Sequence, residues 1–108
     1  MDKELGGYQV SNSGAGKFHK GDVVVPSASL LVECKTPTTE RKSFAINKDW
    51  IKKNKEERFE NRLSNSAIAF NFEPDGENYY VIDSILMKFL IVKLEEEENN
   101  YKEQLVND

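Results

Sequence analysis

The sequence has little that would tie a chain together covalently or place it in a membrane. Among its 108 residues there is one cysteine and one histidine. Cys34 therefore has no partner for an intramolecular disulfide, which excludes a disulfide-stapled scaffold. Prolines number only three, and Pro26, Pro37 and Pro74 each fall where an apolar run ends. No long hydrophobic run exists: Ile85 to Leu94 is broken by Lys88 and Lys93 and falls short of the roughly 18 residues that span a bilayer. The N-terminus, MDKELGGYQV, lacks the basic-then-apolar layout of a secretory signal. No internal repeat and no long linker is present. These absences point to a water-soluble protein of a reducing, intracellular compartment, with no membrane partner.

What is present is ordinary for a folded domain: 38% apolar, 31% charged and 10% aromatic residues. A chain of this length buries roughly 60–70% of its unfolded surface, so one core is expected. The net charge of −4 is unevenly spread. Residues 95–108 carry six carboxylates against Lys102, so residues 1–94 are close to neutral. Between Glu40 and Arg62 there are eight basic residues against five acidic ones. That segment can present a basic face in an acidic protein, or it can be a solvated helix of mixed charge.

The stretch from Ser11 to Gly21, SNSGAGKFHKG, reads as an exposed loop. Asp22-Val23-Val24-Val25 is a β-branched run closed by Pro26, and Leu30 to Lys35 is a second apolar run, so the two predict a β-hairpin. Ser43 to Ile46 suits a third short strand. Asn47 or Asp49 can cap a helix over Lys48 to about Leu63, with Trp50 and Phe59 on its core side. Ser66 to Phe72 and Tyr79 to Ile82 predict two strands joined by a turn at Pro74-Asp75-Gly76. Asp83 or Ser84 can cap a final helix through Leu94, whose apolar residues recur at three- and four-residue intervals. Beyond it Glu95 to Glu98 repel one another, so either the helix continues past Tyr101 or the tail frays. The expected fold is α/β or α+β, a central mixed sheet flanked by helices, with residues 1–94 as one domain and 95–108 as an acidic extension.

The chemistry-bearing pattern is Gly21-Asp22, ten residues, then Glu33-Cys34-Lys35. On a strand Glu33 and Lys35 share one face while Val32 and Cys34 share the other. A hairpin brings Asp22 beside Glu33. Two adjacent carboxylates repel, and a hard divalent cation relieves the repulsion while taking oxygen ligands from both. A neighbouring ammonium can orient water or offset charge growing on a phosphorane-like transition state. The plainer alternative is that Glu33 and Lys35 form an exposed ion pair and Asp22 merely opens a strand.

The segment GDVVV…LLVECKT resembles the signature of the PD-(D/E)xK nuclease superfamily, and the wider stretch NSGAGKFHKGDVVV…LLVECKT is similar to Holliday-junction resolvases of the archaeal and phage type. The resemblance spans about residues 4–94. It implies a restriction-endonuclease-like core that cuts DNA with Mg²⁺ or Mn²⁺, acting as a homodimer on a branched, four-way substrate in the cytoplasm, including that of a phage-infected host. Carried over, the metal site and catalytic residues are Asp22, Glu33 and Lys35, with the Cys34 carbonyl as a further metal ligand. Family members have a functional serine in a Gly-Ser-Gly loop; here the loop is Asn12-Ser13-Gly14, so Ser13 matches and the first glycine does not. They also bring a glutamate from an N-terminal helix. Glu4 is the nearby candidate, with Glu56 and Glu57 of the middle helix as others.

Lys17 and Lys20 suit contacts to a phosphate backbone, and His19 between them can touch a phosphate or simply be solvated. Lys48 and Lys52 recur near helical spacing and can form a basic stripe. The competing readings are a nuclease of the same fold with another substrate, in repair, restriction or homing, and a DNA-binding module without catalysis.

Overall fold

The computed structural model describes residues 2–10 and 22–107. A short helix α1 (Asp2–Leu5) leads through Gly6-Gly7 into strand β1 (Tyr8–Gln9). Gly6 takes a positive φ of 72°, and a Cβ on Gly7 would lie 2.5 Å from the Val24 carbonyl oxygen. The pair of glycines is thus what lets the chain turn and lie directly on the next strand.

The expected hairpin forms from β2 (Val23–Val25) and β3 (Leu30–Lys35). A 3-10 turn, Pro26–Ala28, connects them, and Ser29 closes it in the left-handed region. Helix α2 (Lys48–Glu60) follows, with the Asn47 side chain accepting from the Asp49 amide at 2.8 Å. Strands β4 (Asn65–Phe70) and β5 (Tyr79–Val81) come next, then α3 (Ser84–Asn107). The sheet is five-stranded in the order β1-β2-β3-β4-β5. Among the described strands only the β3–β4 pair is parallel, since α2 carries the chain back between them; the other pairs are antiparallel. The molecule is α+β with a mixed sheet, as its alternating runs imply.

Strand alternation sorts the core into two faces. Val23, Val25, Val32, Ala67 and Ala69 cluster on one, with Leu5, Leu30, Cys34, Tyr80 and Ile82 packed around them. Leu31 and Ile68, both fully buried, lie on the other, where α2 crosses β3 and β4.

Two expectations are corrected. Residues 43–46 form no strand: the Phe44 ring instead packs among aromatics, stacked on Phe70 at 5.2 Å and tilted against Trp50 at 6.2 Å. Phe59 is not core; it is 82% exposed, because its place on α2 points away from the sheet-facing residues Trp50, Asn54 and Glu57. Of the two readings of the tail the continued helix holds, since α3 runs without a break through residue 107.

Helix α3 starts where Asp83 Oδ1 accepts from the Leu86 amide at 2.9 Å, while Lys55 approaches the same carboxylate at 3.3 Å. The amide first, and Lys55 after it, hold the Asp83 carboxyl below its ordinary value. A depressed carboxyl stabilises fully above its unfolded pKa of about 3.9 and loses that contribution as pH falls through the folded value. Asp83→Ala is therefore expected to cost about 1 kcal/mol at neutral pH and almost nothing in strong acid. Urea unfolding at the two pH values measures it; an equal loss at both would mean the cap is not electrostatic.

Candidate active site

The β2–β3 register pairs Val23 with Val32 and Val24 with Leu31. Continued by one residue it sets Asp22 opposite Glu33, and the Val10 amide donating to the Asp22 carbonyl at 2.7 Å fixes Asp22 in the ladder on its other side. Paired strand residues have Cα atoms about 4.5–5.5 Å apart. Since Val23 and Val25 point into the five-residue cluster, alternation turns Asp22 to the α2 face, the side that Glu33 and Lys35 also take. Asp22 is buried, and the Glu33 side chain is only 15% exposed.

Lys35 Nζ lies 3.8 Å from Glu33 Oε1 and 4.6 Å above the ring of Trp50 in the first turn of α2. The ammonium is held between a carboxylate and an aromatic face, with its own side chain 31% exposed. The second Glu33 oxygen is different. Oε2 is buried and has no hydrogen-bond partner. A buried acceptor without a donor costs on the order of 1–3 kcal/mol, and a cation placed between it and Asp22 would remove that cost. The donor set is hard oxygen, which suits Mg²⁺ or Mn²⁺ rather than a soft metal. Cys34 turns its side chain to the opposite, core face, so any part it takes is through the main chain. Among the described residues no group of three or more His, Cys, Asp or Glu side chains is close enough to hold a metal ion. What the fold assembles is two carboxylates and a lysine.

Glu4 goes elsewhere. Its carboxylate accepts from the Tyr80 hydroxyl and from Asn78 Nδ2 at 3.4 Å, and Tyr80 packs on the Cys34 side of the sheet. The Tyr80 hydrogen bond, then that of Asn78, lowers the Glu4 carboxyl, while burial and then Glu4 raise the Tyr80 phenol. Asn71, buried beside them, donates to Asn78 Oδ1 at 3.2 Å. Of the alternative acids, Glu56 is exposed, whereas Glu57 is buried on the sheet-facing side of α2.

Lys48 and Lys52 are exposed on α2, and helical spacing puts them on its side away from Trp50 and the carboxylates. Ser13, Lys17, His19 and Lys20 lie outside the described residues. The residues that sequence reasoning left out are Trp50, as the seat of Lys35, and Asn54, buried with a partnerless Nδ2 on the same side of α2. An asparagine among the apolar positions of a helix was the available signal.

No family model matches this chain, and no curated protein or solved structure matches it either.

Proposed function

We propose that this protein is a metal-dependent DNA endonuclease of the PD-(D/E)xK type, acting on branched DNA as a Holliday-junction resolvase and working as a homodimer. The observation that carries the reading is the partnerless, buried Oε2 of Glu33 opposite the buried Asp22, with Lys35 at 3.8 Å. The mixed sheet and the hairpin bearing both acids agree with the core that the sequence resemblance implies. Asp22 and Glu33 would hold Mg²⁺ or Mn²⁺, with the Cys34 carbonyl completing an oxygen set. When bound, the ion supplies a Lewis acid for the scissile phosphate.

The chain's own residues do the rest. Glu33 keeps Oε1 toward Lys35, which leaves the partnerless Oε2 as the oxygen that would hold the cation. Lys35, steadied by the Trp50 ring, orients the attacking water and offsets charge developing on the phosphate oxygens. Burial of Asp22 and of most of the Glu33 side chain lowers the local dielectric, which strengthens both effects. The twofold symmetry of a four-way junction matches a dimer that makes two equivalent cuts.

The test is to incubate the protein with labelled four-way junction, plain duplex and single strand, with Mg²⁺ or with chelator. Junction-selective nicking that requires the metal is expected. Metal-dependent cutting of all three substrates would replace the junction by a broader substrate class. Binding without cutting would overturn the enzyme reading in favour of a DNA-binding module.

A further inference from the structure

A cleft opens beside the carboxylate–lysine cluster, formed by the chain between β3 and α2. Pro37, Arg41, Ser43, Phe44, Ala45 and Trp50 line it, around a volume of about 260 Å³. Pockets for larger ligands hold roughly 300–1,000 Å³, so this one fits a single planar ring system. Its walls are fixed although the segment has no regular structure. Pro37 is buried, the Arg41 amide donates to the Phe72 carbonyl at 2.7 Å, and Phe70 covers one face of the Phe44 ring, 20° from parallel. Trp50 stands at 47° to Phe44, and Lys35 Nζ lies over the Trp50 ring at 4.6 Å. The cleft is therefore one side chain away from the ammonium assigned to the chemistry. Its surroundings are basic: from residue 35 to residue 48 the chain carries Lys35, Arg41, Lys42 and Lys48 against Glu40 alone, and Arg41, Lys42 and Lys48 are exposed.

We propose that this cleft takes one unpaired nucleobase of the DNA, from the nucleotide next to the scissile phosphate, stacked on Phe44 with Arg41 on its backbone. The placement beside the scissile phosphate rests on the nuclease reading above. Size, ring and charge together select this occupant. The volume admits one ring system, the braced Phe44 ring offers it a stacking surface, and the cations around the rim call for anions on the same ligand. An apolar side chain of a partner protein would fill the cleft and leave those cations unmatched. Trp50 closes the wall with apolar bulk while Lys35 takes a face of its ring. An aromatic ring reaches the face of a base only where that base has left the duplex stack. The cleft thus selects strands with an unpaired nucleotide, at a branch point or in a single strand, over continuous duplex.

Trp50 is the one tryptophan of the chain, so its fluorescence reports occupancy of the cleft directly. Oligothymidylate, an abasic strand of the same length and a duplex are titrated against the wild-type protein in chelator, with affinities read from the anisotropy of a strand-borne dye. Oligothymidylate is expected to quench Trp50. The abasic strand, equal in charge, should bind about 5-fold or more weakly and, like the duplex, leave the emission unchanged. Phe44→Leu should weaken oligothymidylate by the same factor and leave duplex affinity unaltered. Arg41→Ala, which keeps the main-chain bond to Phe72, should lower the salt slope by about one. Equal affinity and equal quenching by base-bearing and abasic strands would overturn the proposal, and that comparison needs no variant to fold. Quenching by an uncharged phenylalanine peptide, with none by oligothymidylate, would overturn it in favour of a protein partner. Metal-dependent cleavage that ignores the abasic change would remove the cleft and leave the active site standing. Base-dependent quenching without any cleavage in Mg²⁺ would uphold the cleft and remove the nuclease reading.

Discussion

Asp22→Asn and Glu33→Gln are each expected to abolish metal-dependent cleavage. Each replaces a charged oxygen ligand by a neutral amide at nearly constant volume. Loss of one charge-stabilising contact at a reacting centre costs about 10²–10³-fold in turnover, and loss of the ion itself costs more. The heat of Mn²⁺ binding in calorimetry should vanish with activity. Stability without metal should change by less than about 1 kcal/mol for Glu33→Gln, because the buried Oε2 has no donor to lose and the 3.8 Å contact of Oε1 with the partly exposed Lys35 is a weak ion pair. A Glu33→Gln protein that still binds Mn²⁺ and cuts at more than about a tenth of the normal rate would remove Glu33 from the metal site. A protein that binds and cuts normally but unfolds more easily would make Glu33 a structural partner of Lys35 only.

Lys35→Ala should separate binding from chemistry. One ammonium is a small part of a phosphate-backbone footprint, so junction affinity is expected to stay within about 3-fold, while turnover falls about 10²–10³-fold. Trp50→Leu keeps the apolar bulk and removes the ring face 4.6 Å from Nζ. A cation–π contact at a half-exposed site is worth about 0.5–1 kcal/mol, so a turnover loss of about 2- to 5-fold is expected, with affinity unchanged. Filter binding beside single-turnover cleavage distinguishes the two. Equal losses of affinity and rate in Lys35→Ala would place the lysine in DNA binding and take it out of the chemistry.

The hairpin was legible because Val23 to Val25 and Leu30 to Lys35 are β-branched and aliphatic runs separated by Pro26, and strand alternation alone then put Glu33 and Lys35 on one face. The caps Asn47 and Asp83 were legible for the same local reason: a short acceptor side chain one or two residues before a helical run. What was not legible depended on tertiary contact. Residues 43–46 have strand propensity, yet Phe44 gains more from two aromatic neighbours than the segment would from a ladder. Strand β1, at two residues, is too short to leave a periodic trace. Phe59 counted as core because apolar residues on helices usually are, but its angle on α2 decides otherwise. The repulsion within Glu95 to Glu98 is screened at an exposed surface and partly offset by Lys93 at 3.4 Å from Glu96, so residues with good helix propensity carry α3 onward. The partner of Glu4 lies 76 residues away in Tyr80, a contact no local pattern encodes.

The lengths of the strands have a consequence for how the protein behaves when crowded. The two long strands, β3 and β4, are interior, each six residues. The outer ones, β1 and β5, are two and three residues. A row of two or three open backbone groups is a poor template for an incoming extended chain, and short outer strands are a recognised guard against fibrillar growth. The sheet is thereby closed to runaway stacking at both margins. Chains that meet through their sheets have almost nothing to zip along.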